Sequence, residues 1–240
     1  MIKEAIDRIL GLAVVQRLEI DGRDYTDKKL VPVLLPEPDV LRLHTLTGIK
    51  EYLNENPDGL DLDQVMVQVE NPTSVRVFSR LSGPFEQRKP YLHSVYEQPQ
   101  YPFGKYLDIE TFIIELQAKF VQDELTASIL QLMGNITDDL ITVYADDGVT
   151  QGVTAKNGIG RVENRMVPNP VTLRPYRTFS EVFQPEGRFV FRLKSGTGTS
   201  TGRPGVALFE ADGGMWQGEA LQFIQKWLRD CIPEEVVVIS

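Results

Sequence analysis

Histidine, the side chain best suited to acid–base work near neutral pH, occurs only at His44 and His93 in this 240-residue chain. Each falls in a segment that reads as a strand with no partner motif beside it, so both are read as structural or solvent-facing. The single cysteine, Cys231, lies on the apolar face of the last amphipathic segment and reads as a small core residue rather than a nucleophile. One cysteine excludes an intrachain disulfide framework and a cysteine-based zinc site, and fits a reducing compartment.

The carboxylates offer more. Asp138 and Asp139 precede an apolar strand-like run, Asp146 and Asp147 follow it, and Glu210 and Asp212 flank another strand end. If these converged they would form an oxygen-ligand site for a hard cation such as Mg²⁺, the basis of a metal-dependent hydrolase. The plainer reading is turn and cap chemistry, in which Asp accepts local backbone hydrogen bonds.

The arginines are the least ordinary feature. Between positions 150 and 200, Lys156, Arg161, Arg165, Arg174, Arg177, Arg188, Arg192 and Lys194 face only Glu163, Glu181 and Glu186, in a chain of formal net charge -9. Arg174, Arg177, Arg188 and Arg192, interleaved with Tyr176, Phe179 and Phe183, have the character of an anion or single-stranded nucleic-acid site, where guanidinium groups meet phosphates and rings meet bases. Pairing with an acidic surface such as 58–63, within the chain or on another subunit, is the competing reading, and solvated surface the third. The glycine- and threonine-rich stretch 195–205 lacks the lysine and glycine spacing of a phosphate-binding loop and reads as mobile.

These residues need elements to hold them. Ile2 to Ala13 places apolar side chains on one helical face; Leu18 and Ile20 begin a hairpin turning at Asp21-Gly22, and the following LVPVLL extends it. A strand at 40–44 and a brief helix through Ile49, Tyr52 and Leu53 come next, followed by a hairpin of alternating valines around the turn ENPTS. Prolines at 84, 90, 99 and 102 make 82–103 an extended excursion with a possible strand around Tyr91, His93 and Val95. Asp108 caps the strongest helical signal, reaching Met133 as one long helix or as two broken near Gln122-Asp123. Strands return at LITVY and VTQGVTAK, turning at Asn157-Gly158; the proline-bearing stretch 167–193 ends in a strand through Phe189, Phe191 and Leu193, and VALFE forms another. An amphipathic helix through Ala220 and Trp227 and a terminal apolar run, Val236, Val237, Val238 and Ile239, complete the chain.

The sum is an α+β fold: an antiparallel sheet built from hairpins, packed against a long central helix or helix pair and against N- and C-terminal amphipathic helices. With no internal repeat or composition shift, 1–240 reads as a single domain. The 42% hydrophobic content suits a sizeable core. The acidic balance argues against general attraction to nucleic acid or an anionic bilayer, and no apolar window is long enough to span a membrane, so a cytoplasmic protein without a membrane partner is expected.

Several strings together, FGKYLDIETFIIELQAKF from Phe103 to Phe120, DDGVTQ from Asp146 to Gln151, NPVTLRPYRTFSEVFQP from Asn169 to Pro185 and ALFEADGGMW from Ala207 to Trp216, resemble the YfdQ-like proteins, an uncharacterised family of tailed phages and prophages. The resemblance implies a viral origin and expression in a host bacterial cytoplasm, virion association being open. It implies no catalytic residue and no cofactor. The expectation is a non-enzymatic protein that self-assembles into a homo-oligomer, with Val236, Val237, Val238 and Ile239 as the interface strand. The alternatives are an accessory module binding nucleotide or single-stranded nucleic acid, and the aspartate-based hydrolase.

Overall fold

A computed structural model describes residues 3–6, 11, 15, 17–20, 23–26, 39–83, 86–134, 141–146, 151–157, 161–167, 169–194 and 204–240. The chain divides into two compact units, Met1–Asp39 and Val40–Ser240. In the first, residues 3–6 are helical, and β1 (Arg17–Ile20) pairs antiparallel with β2 (Arg23–Thr26), Ile20 opposite Arg23. The hairpin expected around Asp21-Gly22 is therefore present, while its turn and the LVPVLL segment lie outside the described residues.

The second unit begins with β3 (Leu41–Leu43) and α1 (Leu46–Glu55). Thr45 starts the helix by accepting the Gly48 N–H on its hydroxyl at 3.1 Å. Asn56 ends it in the left-handed conformation at φ 44°, one residue before the proline that the sequence marks as the stop. The valine alternation then forms β4 (Val65–Asn71) and β5 (Ser74–Ser79), a hairpin with Val67 opposite Val77. Its turn is held by Asn71 Oδ1, which accepts the Thr73 N–H at 2.9 Å. Inside the proline-rich excursion, β6 (Pro90–Val95) adds to β5.

Next come β7 (Leu107–Asp108), α2 (Ile109–Lys119) and α3 (Glu124–Gly134). The long helical signal is thus a helix pair, and its break has a tertiary cause. Val121 N–H donates to the Arg174 carbonyl at 2.8 Å and Tyr176 N–H to the Lys119 carbonyl at 2.9 Å, so a distant extended segment takes over backbone groups that a continuous helix would use internally. Asp123 restarts the helix by accepting the Thr126 N–H at 2.9 Å.

Three strands, β8 (Ile141–Asp146), β9 (Gln151–Asn157) and β10 (Arg161–Val167), form an antiparallel meander in the order β10-β9-β8. They are followed by β11 (Val171–Leu173), β12 (Gly187–Lys194), β13 (Gly205–Glu210), α4 (Met215–Cys231) and β14 (Val237–Ile239). Most of the glycine-rich loop expected at 195–205 lies outside the described residues.

Among the described residues two hydrophobic cores result. In one, α2 and α3 cover the four-stranded sheet β11-β12-β13-β7 through Phe112, Leu116, Phe120, Phe189 and Phe191. In the other, α1 and α4 cover the five-stranded sheet β14-β4-β5-β6-β3 through Leu46, Leu53, Ile224, Leu228 and the strand valines. Hairpins make the centre of this second sheet antiparallel, whereas both margins, β14 against β4 and β3 against β6, are parallel. Phe179 and Val182, on the segment between β11 and β12, reach into the second core. That segment carries the site.

Candidate functional site

Residues 174–184 have no regular hydrogen-bond ladder to shape them, so side chains do it. Buried Gln184 turns back on the segment: its Oε1 accepts the N–H groups of Arg177 at 2.9 Å and Thr178 at 3.2 Å, and its Nε2 donates to the carbonyls of Thr178 at 3.2 Å and Phe179 at 3.1 Å. The Thr178 hydroxyl donates to the Pro72 carbonyl at 2.5 Å, tying the loop to the β4–β5 turn. One glutamine thus satisfies four buried backbone groups that would otherwise oppose folding.

Held in this way, Arg177 is only 4% exposed. Its guanidinium carbon lies 4.6 Å from the ring centre of Trp216, 5.1 Å from Phe189 and 5.3 Å from Phe103, an aromatic cage worth about 1–2 kcal/mol per desolvated cation–π face. Gly187 leaves the passage: a Cβ there would stand 2.9 Å from Arg177 Nη2 and from two ring atoms of Phe189. Gly213 and Gly214, at φ 64° and 82°, make the tight turn that brings Trp216, in the first turn of α4, over the guanidinium.

The electrostatics are unfinished. Glu210 Oε1 is 3.3 Å from Arg177 Nη1, an ion pair without hydrogen-bond alignment, and among the described residues none of the three guanidinium nitrogens has a hydrogen-bond partner. Burial pulls the Arg177 pKa down, opposed by the charges of Glu210 and Asp212. A cleft of about 150 Å³ opens beside the group, lined by Arg177, Tyr101, Phe103, Tyr176, Glu210 and Trp216 among others. The Tyr101 hydroxyl is likewise buried without a partner among the described residues. Burial foremost, and the Glu115 charge second, push its pKa up, so it remains a neutral hydroxyl. Buried donors left unpaired cost roughly 1–3 kcal/mol each, more when charged. Here two residues that carry such groups line one cleft.

The other arginines go elsewhere. Arg174 is bound by Asp123, with Nε 3.1 Å and Nη2 3.0 Å from Oδ2, and its guanidinium lies 4.7 Å from the Phe183 ring centre. On β12, Arg188 and Arg192 alternate with buried Phe189 and Phe191 and so occupy the opposite face from the cage. The four-arginine surface suggested by the sequence is not assembled as one patch; Arg177 is the member that meets a cleft.

Asp138, Asp139 and Asp147 lie outside the described residues, Asp146 ends β8, and Asp212 serves its own turn by accepting the Gly214 N–H at 2.9 Å. Among the described residues no group of three or more His, Cys, Asp or Glu is placed to share a metal ion. His93 Nε2 lies 2.9 Å from Ser74 Oγ, an arrangement reminiscent of a nucleophile and its base. The serine proton, however, goes to Glu70 at 2.8 Å, so the contact with His93 requires the ring N–H to donate, leaving that nitrogen no base capacity.

The expected interface strand finds its partner inside the chain, parallel to β4, with Val238 opposite Val67. Val236 and Val238 are buried in the chain's own core, while Val237 and Ile239 are 37% and 39% exposed. The Val238 carbonyl accepts from Arg229 at 3.3 Å and Gln225 at 3.5 Å, which blunts addition of a further strand.

No protein-family model, no curated protein and no solved structure matches the chain. The site therefore rests on its geometry. Sequence reasoning reached Arg177 through charge asymmetry and Glu210 only as a candidate cation ligand, and it did not reach Tyr101; these stand on separate elements and share no local pattern. Trp216 carries no local sign of its role, which depends on a cation arriving from another segment. Among the described residues no helix is long and apolar enough to cross a membrane.

Proposed function

We propose that the protein is a non-enzymatic binding module whose recognition site is the cleft beside Arg177. The observation that supports this most directly is that two residues lining one cleft, Arg177 and Tyr101, carry buried polar groups without hydrogen-bond partners among the described residues. A ligand supplying acceptors to them removes a standing penalty in the native state. The test is thermal unfolding against ring-sized acceptor-bearing compounds: a ligand at a hundredfold its Kd adds about 2.7 kcal/mol of stability. A panel in which no compound raises Tm overturns the reading.

A second reading, self-association into a homo-oligomer, is favoured by the outward Val237 and Ile239 on the marginal strand β14. Light scattering on native protein and on the V237K/I239K variant tests it; a monomeric native protein overturns it. The likeness to YfdQ-like proteins supports placing either activity in a phage or prophage setting.

A further inference from the structure

The groups lining the cleft have opposite requirements. Arg177 can only donate hydrogen bonds and an ionised Glu210 can only accept them, while Tyr101 can do either. A full anion seated on Arg177 would come up against the Glu210 carboxylate, already 3.3 Å from Nη1, and would feel Asp212, whose charge also acts on the guanidinium. Lys119, which also lines the cleft, is held by Glu115 and by the Gln100 carbonyl, so the cleft does not offer the unopposed positive field of a phosphate site. A neutral group with an acceptor beside a donor meets both demands at once.

Size narrows the occupant further. The space is about 150 Å³, and an apolar cavity of about that volume takes up benzene, so it admits one ring and leaves whatever carries that ring outside. Tyr101, Phe103, Tyr176 and Trp216 line it, giving a planar ring aromatic surroundings. Glu210 is 44% exposed on its side chain, placing the acceptor toward the open side and the buried donors toward the floor.

Resting on the binding-cleft reading above, we propose that the ligand presents a neutral, ring-sized planar amide edge, with its carbonyl received by Arg177 and Tyr101 and its adjacent N–H received by Glu210. This edge chemistry is shared by aromatic amides and by nucleobases, whether free or carried on a single strand.

Benzamide and benzoate test it, being matched in size and differing in this edge, with uridine as the nucleobase probe. Calorimetric titration of the native protein is expected to show binding of benzamide and uridine and none of benzoate. In E210Q, confirmed folded by circular dichroism, benzamide weakens about tenfold as a charge-assisted acceptor becomes a neutral one, and benzoate gains entry. Equal affinity for uridine and a short oligouridylate, insensitive to salt, supports the edge in a free ligand. Tighter oligonucleotide binding with a steep salt dependence supports the same edge presented by a strand. If native protein binds benzoate as tightly as benzamide, the site is for anions, and the amide assignment falls while the cleft reading stands. If none of the probes binds, both fall.

Discussion

Asp123 and Arg174 stand 51 residues apart in sequence, yet Arg174 Nη2 lies 3.0 Å from Asp123 Oδ2 at the junction of α2 and α3. The same carboxylate caps α3 through the Thr126 N–H. Burial tends to raise its pKa, but the hydrogen bonds from Thr126 and Arg174 and the arginine charge outweigh it, and the pKa is lowered. A depressed carboxylate contributes stability above its ordinary value and loses it as pH falls through the folded value. D123N keeps a capping acceptor and removes the charge, so it is expected to cost about 1 kcal/mol at pH 7 and progressively less as the pH falls below the ordinary carboxylate range. Urea unfolding across that range reads the difference.

Gly187 is expected to tolerate no side chain. A Cβ 2.9 Å from Arg177 Nη2 and from the Phe189 ring must displace one of them, and both are packed in the cage. G187A should lose about 1–3 kcal/mol in denaturant unfolding. An unchanged midpoint would mean that the cage yields easily.

Removing the Tyr101 hydroxyl should help the empty protein. A buried polar group without a partner is a cost, so Y101F is expected to raise stability by about 1 kcal/mol while weakening any ligand that uses the hydroxyl. A destabilised Y101F would reveal an unseen partner for that oxygen.

Gln184 should behave in the opposite way. Q184L keeps the volume but strands the N–H groups of Arg177 and Thr178. The expected loss is about 2–4 kcal/mol, with hydrogen exchange rising at those two amides, because each buried donor loses its acceptor.

Within the terminal strand, alternate residues should separate by role. V238A opens space in the core and should cost roughly 1–3 kcal/mol with oligomer mass unchanged. V237K/I239K should leave stability nearly intact and, if β14 mediates self-association, lower the mass measured by light scattering.

The amino-acid sequence by itself determined the elements whose stability is written in near neighbours. The valine alternation of β4 and β5, the Asp108 cap, the apolar face of α4 and the non-helical 167–175 stretch all follow from periodicity, capping and proline geometry, and they suffice for the α+β class. Tertiary structure alone decided the rest. It broke the long helix because Arg174 and Tyr176 take its backbone groups. It gave β14 an internal partner, and it divided four similar arginines among an ion pair, an aromatic cage and an outward strand face. Each of these depends on hydrogen bonds and ring contacts between residues tens of positions apart. Local periodicity carries no information about which distant segment will arrive.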